Sequence, residues 1–423
     1  MPASDLHAVV DAVWRLESAR VIGALARIVR DVGLAEDFAQ EALLAALEQW
    51  PARGVPDNPG AWLMTTAKRR AIDYLRRRQM LHRRHGELVQ ELPLASPADF
   101  EESPDREQDV QDDTLRLIFT ACHPVLSAEA RAALTLRLVG GLTTEEIARA
   151  YLVPEPTIAQ RIVRAKKTLA SKRVPFEVPA PDDRRGRLAS VLEVIYLIFN
   201  EGHTATAGTE WMRVSLCEDA LRLARMVAEL MPREPEALGL AALLEIQASR
   251  LKARTGPGGL VPLAEQDRSR WDRLLIGRGL ATLARADALA AAGSRGSYQL
   301  QAAIAACHAR ASSVDATDWA GIVALYTELL AAAPSPVVAL NRAVAIGMAS
   351  GPAAGLSATD KLAGERALAG YHLLPAVRGD LLDKLGRFED ARVEFERAAT
   401  LTANAVEQAW LRKRAAHMRE KTS

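Results

Sequence analysis

The sequence predicts an all-α fold, and three observations carry that prediction. Apolar residues recur every three to four positions in three segments, Ala35 to Trp50, Ala61 to Arg78 and Thr143 to Ala170, each with a polar opposite face. Beyond about Arg184 the chain is rich in alanine and leucine, with few strand signals. Within that remainder, small and apolar residues return at multiples of 34 positions, the period of a repeat built from helix pairs. At 423 residues the chain exceeds two small helical domains and requires at least one more.

The first segment is acidic. Phe38, Ala39, Ala42, Leu43, Ala46 and Trp50 fall on one face, enough to bury it. The opposite face carries Asp37, Gln40, Glu41 and Glu48, and among them Leu44 and Leu47. Leucines inside an acidic field suit a protein-docking surface of modest size, although isolated exposed leucines are also ordinary.

The second segment is basic. Leu63, Met64, Ala67, Ala71, Tyr74 and Leu75 form its packed side. Trp62, Thr66, Arg69, Arg70, Asp73, Arg76 and Arg77 are assigned to the functional side, and from Thr66 to Arg84 eight Lys or Arg stand against Asp73 alone. Guanidinium forks bind phosphate bidentately while an aromatic ring stacks on an unpaired base, so this mixture suits nucleic acid. A solvated charged helix face has the same composition.

Next comes a sharp change in composition. Pro93, Pro97 and Pro104 punctuate an acidic run from Glu87 to Asp113 that only Arg106 opposes. Such a stretch buries little and repels itself, which predicts a flexible acidic linker over 86–112. It serves as a spacer, or folds back to mask the basic helices when DNA is absent.

The third segment reads as a helix-turn-helix. Thr143 and Glu146 have the spacing of a capping box, a short helix runs to Tyr151, Leu152 to Glu155 turn, and Pro156 takes the first position of the next helix. There Ile158, Ile162, Ala165 and Leu169 share one face, and Thr157, Gln160, Arg161, Arg164 and Lys167 the other, the pattern of a recognition helix entering the major groove. Lys166, Lys172 and Arg173 add phosphate contacts in this reading.

In the remainder, Ala220, Ala224, Val227 and Pro232 fit the tetratricopeptide spacing, and Ile322, Tyr326, Leu329 and Pro334 repeat it 102 residues later. Leu356 lies one period beyond Ile322, and Ala391, Phe395 and Ala398 complete a last unit behind Gly379 and a turn at Gly386. Residues 250 to 300 fit poorly, with Gly256, Pro257, Gly258, Gly259 and Pro262 marking a loop. A stacked array of this kind binds a protein or peptide segment, or only holds other domains in place.

Charge is balanced, 54 Lys and Arg against 53 Asp and Glu, so nucleic-acid binding would rest on local clusters. Cys122, Cys217 and Cys307 are widely spaced, which argues for a reducing compartment and against a disulfide framework. Cys122 beside His123 lacks a second pair at ligand spacing, so no metal or cofactor is expected. The longest apolar run, near Val191 to Phe199, contains Glu193 and is too short for a bilayer; with no signal peptide, the expectation is a cytoplasmic protein without membrane contact. Asn200, Glu201 and His203 are read as a helix end with a stop at Gly202, and no nucleophile, carboxylate pair or phosphate loop accompanies them, so no catalytic site is expected.

Three strings in order, Ala35 to Glu41, Trp62 to Arg78, and Leu142 to Ala148 continuing from Val153 to Leu169, resemble the extracytoplasmic-function sigma factors of bacterial RNA polymerase. The resemblance covers roughly residues 6 to 175. It implies a sigma region 2 helical bundle over 1–85, whose first string binds core RNA polymerase and whose second opens and reads the minus-10 element. It implies a sigma region 4 domain over 113–178, whose recognition helix reads the minus-35 element of promoter DNA. Pro156 and Ala159 depart from the family's recognition helix, so promoter sequence is not legible there. The residues from 186 to 423 resemble the extension of a subgroup without a membrane-bound anti-sigma partner, which implies regulation in cis. Two other readings compete. A free-standing helix-turn-helix regulator with a sensing array makes no use of Leu44 and Leu47, and an RNA-binding scaffold makes the array the active part.

Overall fold

The computed structural model describes residues 3–84, 106–151, 153–204, 212–256, 259–290 and 295–422, and among these residues the fold is all-α. The extended structure they contain is one two-residue ribbon, with Thr255 opposite Leu260. The chain divides into two compact units, Met1–Ile195 and Tyr196–Ser423.

In the first unit, α1 (Ala3–Val29), α2 (Val32–Arg53) and α3 (Pro59–Arg84) pack on one another. Asp31 starts α2 by accepting the Leu34 N–H at 2.9 Å, and Gly54, at φ +82°, ends it in a conformation that favours glycine. Asn58 performs the same office for α3, accepting from Ala61 N at 3.0 Å. Ile22, Leu25, Ala39, Ala42, Ala46, Leu63 and Ala67 are buried, so the apolar stripes read from the sequence do form the core.

Most of the expected linker, 86–105, lies outside the described residues, but its end does not behave as a solvated tether. Helix α4 spans Arg106–Ala121, and Asp113 is only 1% exposed, held by Arg27 Nε at 2.9 Å and Arg116 Nη1 at 2.6 Å. Burial still raises its carboxyl above the usual range, against the pull of both arginines. A Cβ on Gly23 of α1 would come within 2.8 Å of the Asp113 carbonyl oxygen, so glycine is what lets α1 and α4 approach so closely.

Three helices follow, α5 (Ala128–Leu138), α6 (Thr144–Tyr151) and α7 (Glu155–Ser171). The expected capping box is present: Thr143 N donates to Glu146 Oε2 at 2.8 Å, and Glu146 N donates to Thr143 Oγ1 at 3.1 Å. Helix α7 starts one residue earlier than the spacing suggests, so Pro156 is its second residue, where a missing N–H still costs nothing. Helix α8 (Pro181–His203) closes this unit with its N-terminal part. Arg187 Nη2 and Ser190 Oγ donate to the carbonyls of Phe119 and Cys122, both at 2.7 Å. Cys122 is buried 3.2 Å from Thr135 Oγ1, and burial pushes its thiol up to about 11, which marks a core residue.

The second unit contains α9 (Val214–Leu230), α10 (Pro235–Ala248), α11 (Arg273–Leu289), α12 (Ser297–Arg310) and α13 (Trp319–Ala332). It continues with α14 (Pro336–Ser350), α15 (Pro352–Asp360), α16 (Leu373–Lys384), α17 (Phe388–Leu401) and α18 (Ala405–Thr422). Consecutive helices pack as neighbours, as in a tetratricopeptide-like array. Ala220, Ala224 and Val227 are buried on α9, Ile322 and Leu329 on α13, and Ala391, Phe395 and Ala398 on α17. Helix α10 is buried on nearly every side because it is surrounded, touching α9, α11 and α12. The irregular stretch is shorter than expected: 3-10 turns and the ribbon occupy it only until Asp272 caps α11. Gly202 is also not a stop, since α8 continues through it to His203; a Cβ there would meet Leu216 Cβ and Cys217 N at 2.8 Å, so it serves close packing.

Gly379 faces Phe395, whose ring carbon would lie 2.9 Å from an added Cβ. Gly379→Ala is therefore expected to cost about 1–3 kcal/mol through overpacking. Thermal unfolding of the full chain checks this, and an unchanged transition would mean that the ring yields freely.

Candidate nucleic-acid and docking interface

On α2, Leu44 is 58% exposed, and Asp37, Glu41 and Glu48 are exposed around it. Gln40 and Leu47 are half-buried, so the apolar centre of this face is mainly Leu44. Partial burial and the neighbouring carboxylates of Glu36, Asp31 and Glu41 raise the Asp37 carboxyl, outweighing Lys166.

Helix α3 presents Arg69, Asp73, Arg76 and Arg77 to solvent, while Trp62, Thr66 and Arg70 are half-buried. Trp62 stands edge-on to the buried Trp50, ring centroids 5.5 Å apart, which fixes one side of its indole. Arg70 Nη1 donates to Glu41 Oε2 at 2.9 Å, tying this face to α2. That pair is half-exposed and contributes at most about 1 kcal/mol. Two sets of residues assigned to different partners thus adjoin each other.

Helix α7 buries Ile158, Ile162, Ala165 and Leu169 and exposes Thr157, Gln160, Arg164 and Lys167, with Arg161 half-buried. Exposed guanidinium groups and an amide on helix faces are the donor chemistry that phosphate oxygens and base edges accept.

One cation expected on DNA is otherwise engaged. Lys166 points to Glu36 of α2, which is 2% exposed and also accepts from Arg137 Nε at 2.6 Å. Gln40 donates to the same carboxylate. A second tie joins Arg15 of α1 to Glu146, the capping-box acid of α6. The helix-turn-helix therefore docks on the N-terminal bundle through two carboxylates. Glu36 was not legible as functional, although its spacing of 3, 7 and 14 from Ala39, Leu43 and Trp50 places it on the packed stripe.

Among the described residues, no group of three or more His, Cys, Asp or Glu is arranged to hold a metal, and no helix is long and apolar enough to cross a membrane.

Comparison with known proteins matches residues 14–80 to Sigma-70 region 2, residues 116–169 to Sigma-70, region 4, and residues 187–287 to a family of unknown function (DUF6596). An uncharacterized protein of Rhizobium meliloti (strain 1021) is 45% identical over 409 residues, 95% of each chain. The ECF RNA polymerase sigma factor SigK of Mycobacterium ulcerans (strain Agy99) is 31% identical over 157 residues, 36% of this chain and 78% of that one. A probable ECF RNA polymerase sigma factor, SigI, of Mycobacterium tuberculosis (strain CDC 1551 / Oshkosh) is 25% identical over 206 residues, 45% of this chain and 68% of that one.

Proposed function

Because the chain belongs to the extracytoplasmic-function family of RNA polymerase sigma factors, we propose that it seats on core polymerase through the Leu44 face of α2 and holds promoter DNA through α3 and α7. The observation that carries this reading is the pairing of two exposed cationic helix faces with an acidic face centred on an exposed leucine. The upstream duplex is held by Thr157, Gln160, Arg161, Arg164 and Lys167. The minus-10 strand is captured by Trp62, Thr66, Arg69, Arg70, Asp73, Arg76 and Arg77. Unstacking a base costs a few kcal/mol, which ring stacking and phosphate contacts offset. The protein lends contacts and has no turnover of its own, working in the cytoplasm with the polymerase.

The C-terminal unit modulates this activity in cis, and its packed helix pairs suit a protein or peptide partner. The extension accompanies the two sigma-factor regions in a relative that matches along 95% of the chain. A free-standing regulator gains no support, since it leaves the region 2 match over residues 14–80 without a role.

Transcription in vitro with core polymerase tests the reading. The full chain should direct initiation, whereas Leu44→Asp should bind core polymerase at least about tenfold more weakly, the worth of one buried leucine side chain. Unaltered association would remove α2 from the interface. A chain ending at Ile195, which keeps Arg187 and Ser190 on their partners, should change promoter output in either direction. Equal output would dispose of modulation in cis.

A further inference from the structure

The C-terminal unit contains a cavity of about 220 Å³ lined from α8, α10, α12, α13 and α14. Its apolar wall includes Leu243, Ile246, Ile304 and Leu329. Its polar wall carries the donors of Arg250, Trp271 and Tyr326 beside the amides of Gln247, Gln301 and Asn341. Arg250 lines it with a guanidinium whose Nε and Nη2 both donate to the neutral Gln247 Oε1, and among the described residues no carboxylate pairs with it. Trp271, 4% exposed, also lines it, and its indole N–H has no hydrogen-bond partner among the described residues. Tyr326 lies on the same wall; burial pushes its hydroxyl up to about 12, so it remains a donor at neutral pH.

A half-buried cation without a counter-charge and a buried donor without an acceptor are both costly. Burial and the like charges of Arg254 and Arg268 add to that cost by pulling the Arg250 guanidinium below its ordinary value. Neither neighbour competes for a ligand: Arg268 donates to the carbonyls of His308 and Ala311 at 2.6 Å, and Arg254 to that of His203 at 2.9 Å. Of these three guanidiniums Arg250 alone lines the cavity, so a ligand there meets one positive charge and answers it with one negative charge. His308, also on the wall, is pushed down to about 4 chiefly by burial and is neutral at pH 7, so it adds no second cation.

We propose that this cavity is a binding site for a small monoanionic organic carboxylate, its carboxylate paired with Arg250 and hydrogen-bonded by the Trp271 indole and the Tyr326 hydroxyl, its short apolar body against Leu243, Ile246 and Ile304. A carboxylate only accepts hydrogen bonds, as these donors require, and its plane matches the guanidinium edge that Gln247 leaves open. The cavity is smaller than the about 300–1,000 Å³ of a drug-sized pocket, which restricts the ligand to a few carbons. The site goes beyond the sigma-factor reading and stands without it.

Titration calorimetry on the purified full chain, with no polymerase present, tests the proposal with benzoate and hexanoate as probes. At least one should bind saturably at one per chain. Its uncharged analogue, benzamide or hexanamide, should bind at least tenfold more weakly, and inorganic phosphate should not compete. Arg250→Gln should weaken the carboxylate at least tenfold and abolish its advantage over the amide. Tyr326→Phe, which removes one hydroxyl and leaves the packing, should weaken it severalfold and covers the case in which the arginine variant fails to fold. No saturable binding by either carboxylate, equal binding by the amides, or undiminished affinity in folded Arg250→Gln would overturn the assignment. Failure in transcription with intact carboxylate binding would leave this site standing and sink the polymerase reading alone.

Discussion

Replacing Glu36 with alanine is expected to destabilise the N-terminal unit by about 3 kcal/mol and to free α7 from α2. The deletion leaves Arg137 and Lys166 beside a vacated, nearly dry position, and breaking a buried ion pair in this way typically costs about 3–5 kcal/mol. Both cationic side chains are roughly one-fifth exposed, at 19% and 21%, and recover some hydration, so the lower end applies. Glu36→Gln keeps the shape and one acceptor oxygen and should cost less. Urea unfolding followed through the N-terminal unit measures the loss. Energy transfer between dyes at Arg78 and Val163, both exposed, should report a wider and broader separation of α3 from α7 in the alanine variant. An unmoved unfolding midpoint together with an unchanged dye distance would show that this carboxylate does not hold the two domains together.

The second large effect concerns DNA. Changing Arg69, Arg76 and Arg77 together to alanine should abolish promoter opening while leaving polymerase association intact. All three are exposed, so their removal takes no packing from the core. The loss of three phosphate contacts should also lower the slope of log affinity against log salt by about 2 for a single strand and nearly 3 for duplex. Permanganate footprinting of the melted region, alongside co-purification with core polymerase, separates the two steps. If polymerase association disappears with opening, the division of labour between α2 and α3 is wrong.

Local chemistry was legible in the sequence wherever one helix decides it. The capping box of Thr143 and Glu146 forms as its spacing requires, and the buried stripes of α2, α3 and α7 follow from helical periodicity. The Phe395 to Gly379 approach sits where the repeat spacing expects helices to meet. What was hidden depends on partners far away in the chain. Lys166 lies at the flank of the recognition face, and nothing local distinguishes it from Lys167; Glu36, 130 positions earlier, takes one and leaves the other. Asp113 looked like the end of a self-repelling acidic run, yet two arginines, one 86 positions away, make it a core residue. The cavity around Arg250 has no sequence signature, because its wall is assembled from five helices and the turns beside them.

Glu146 serves two purposes, opening α6 through the Thr143 N–H and receiving Arg15 from α1. A substitution there forfeits both at once, while Thr157, Gln160 and Arg164 on the far side of the motif have no such ties among the described residues. With α7 reading the upstream element as proposed, inheritance should act unevenly on this motif: descendants of the gene can exchange one target sequence for another by small steps along α7, with the tie to the first helix retained unaltered.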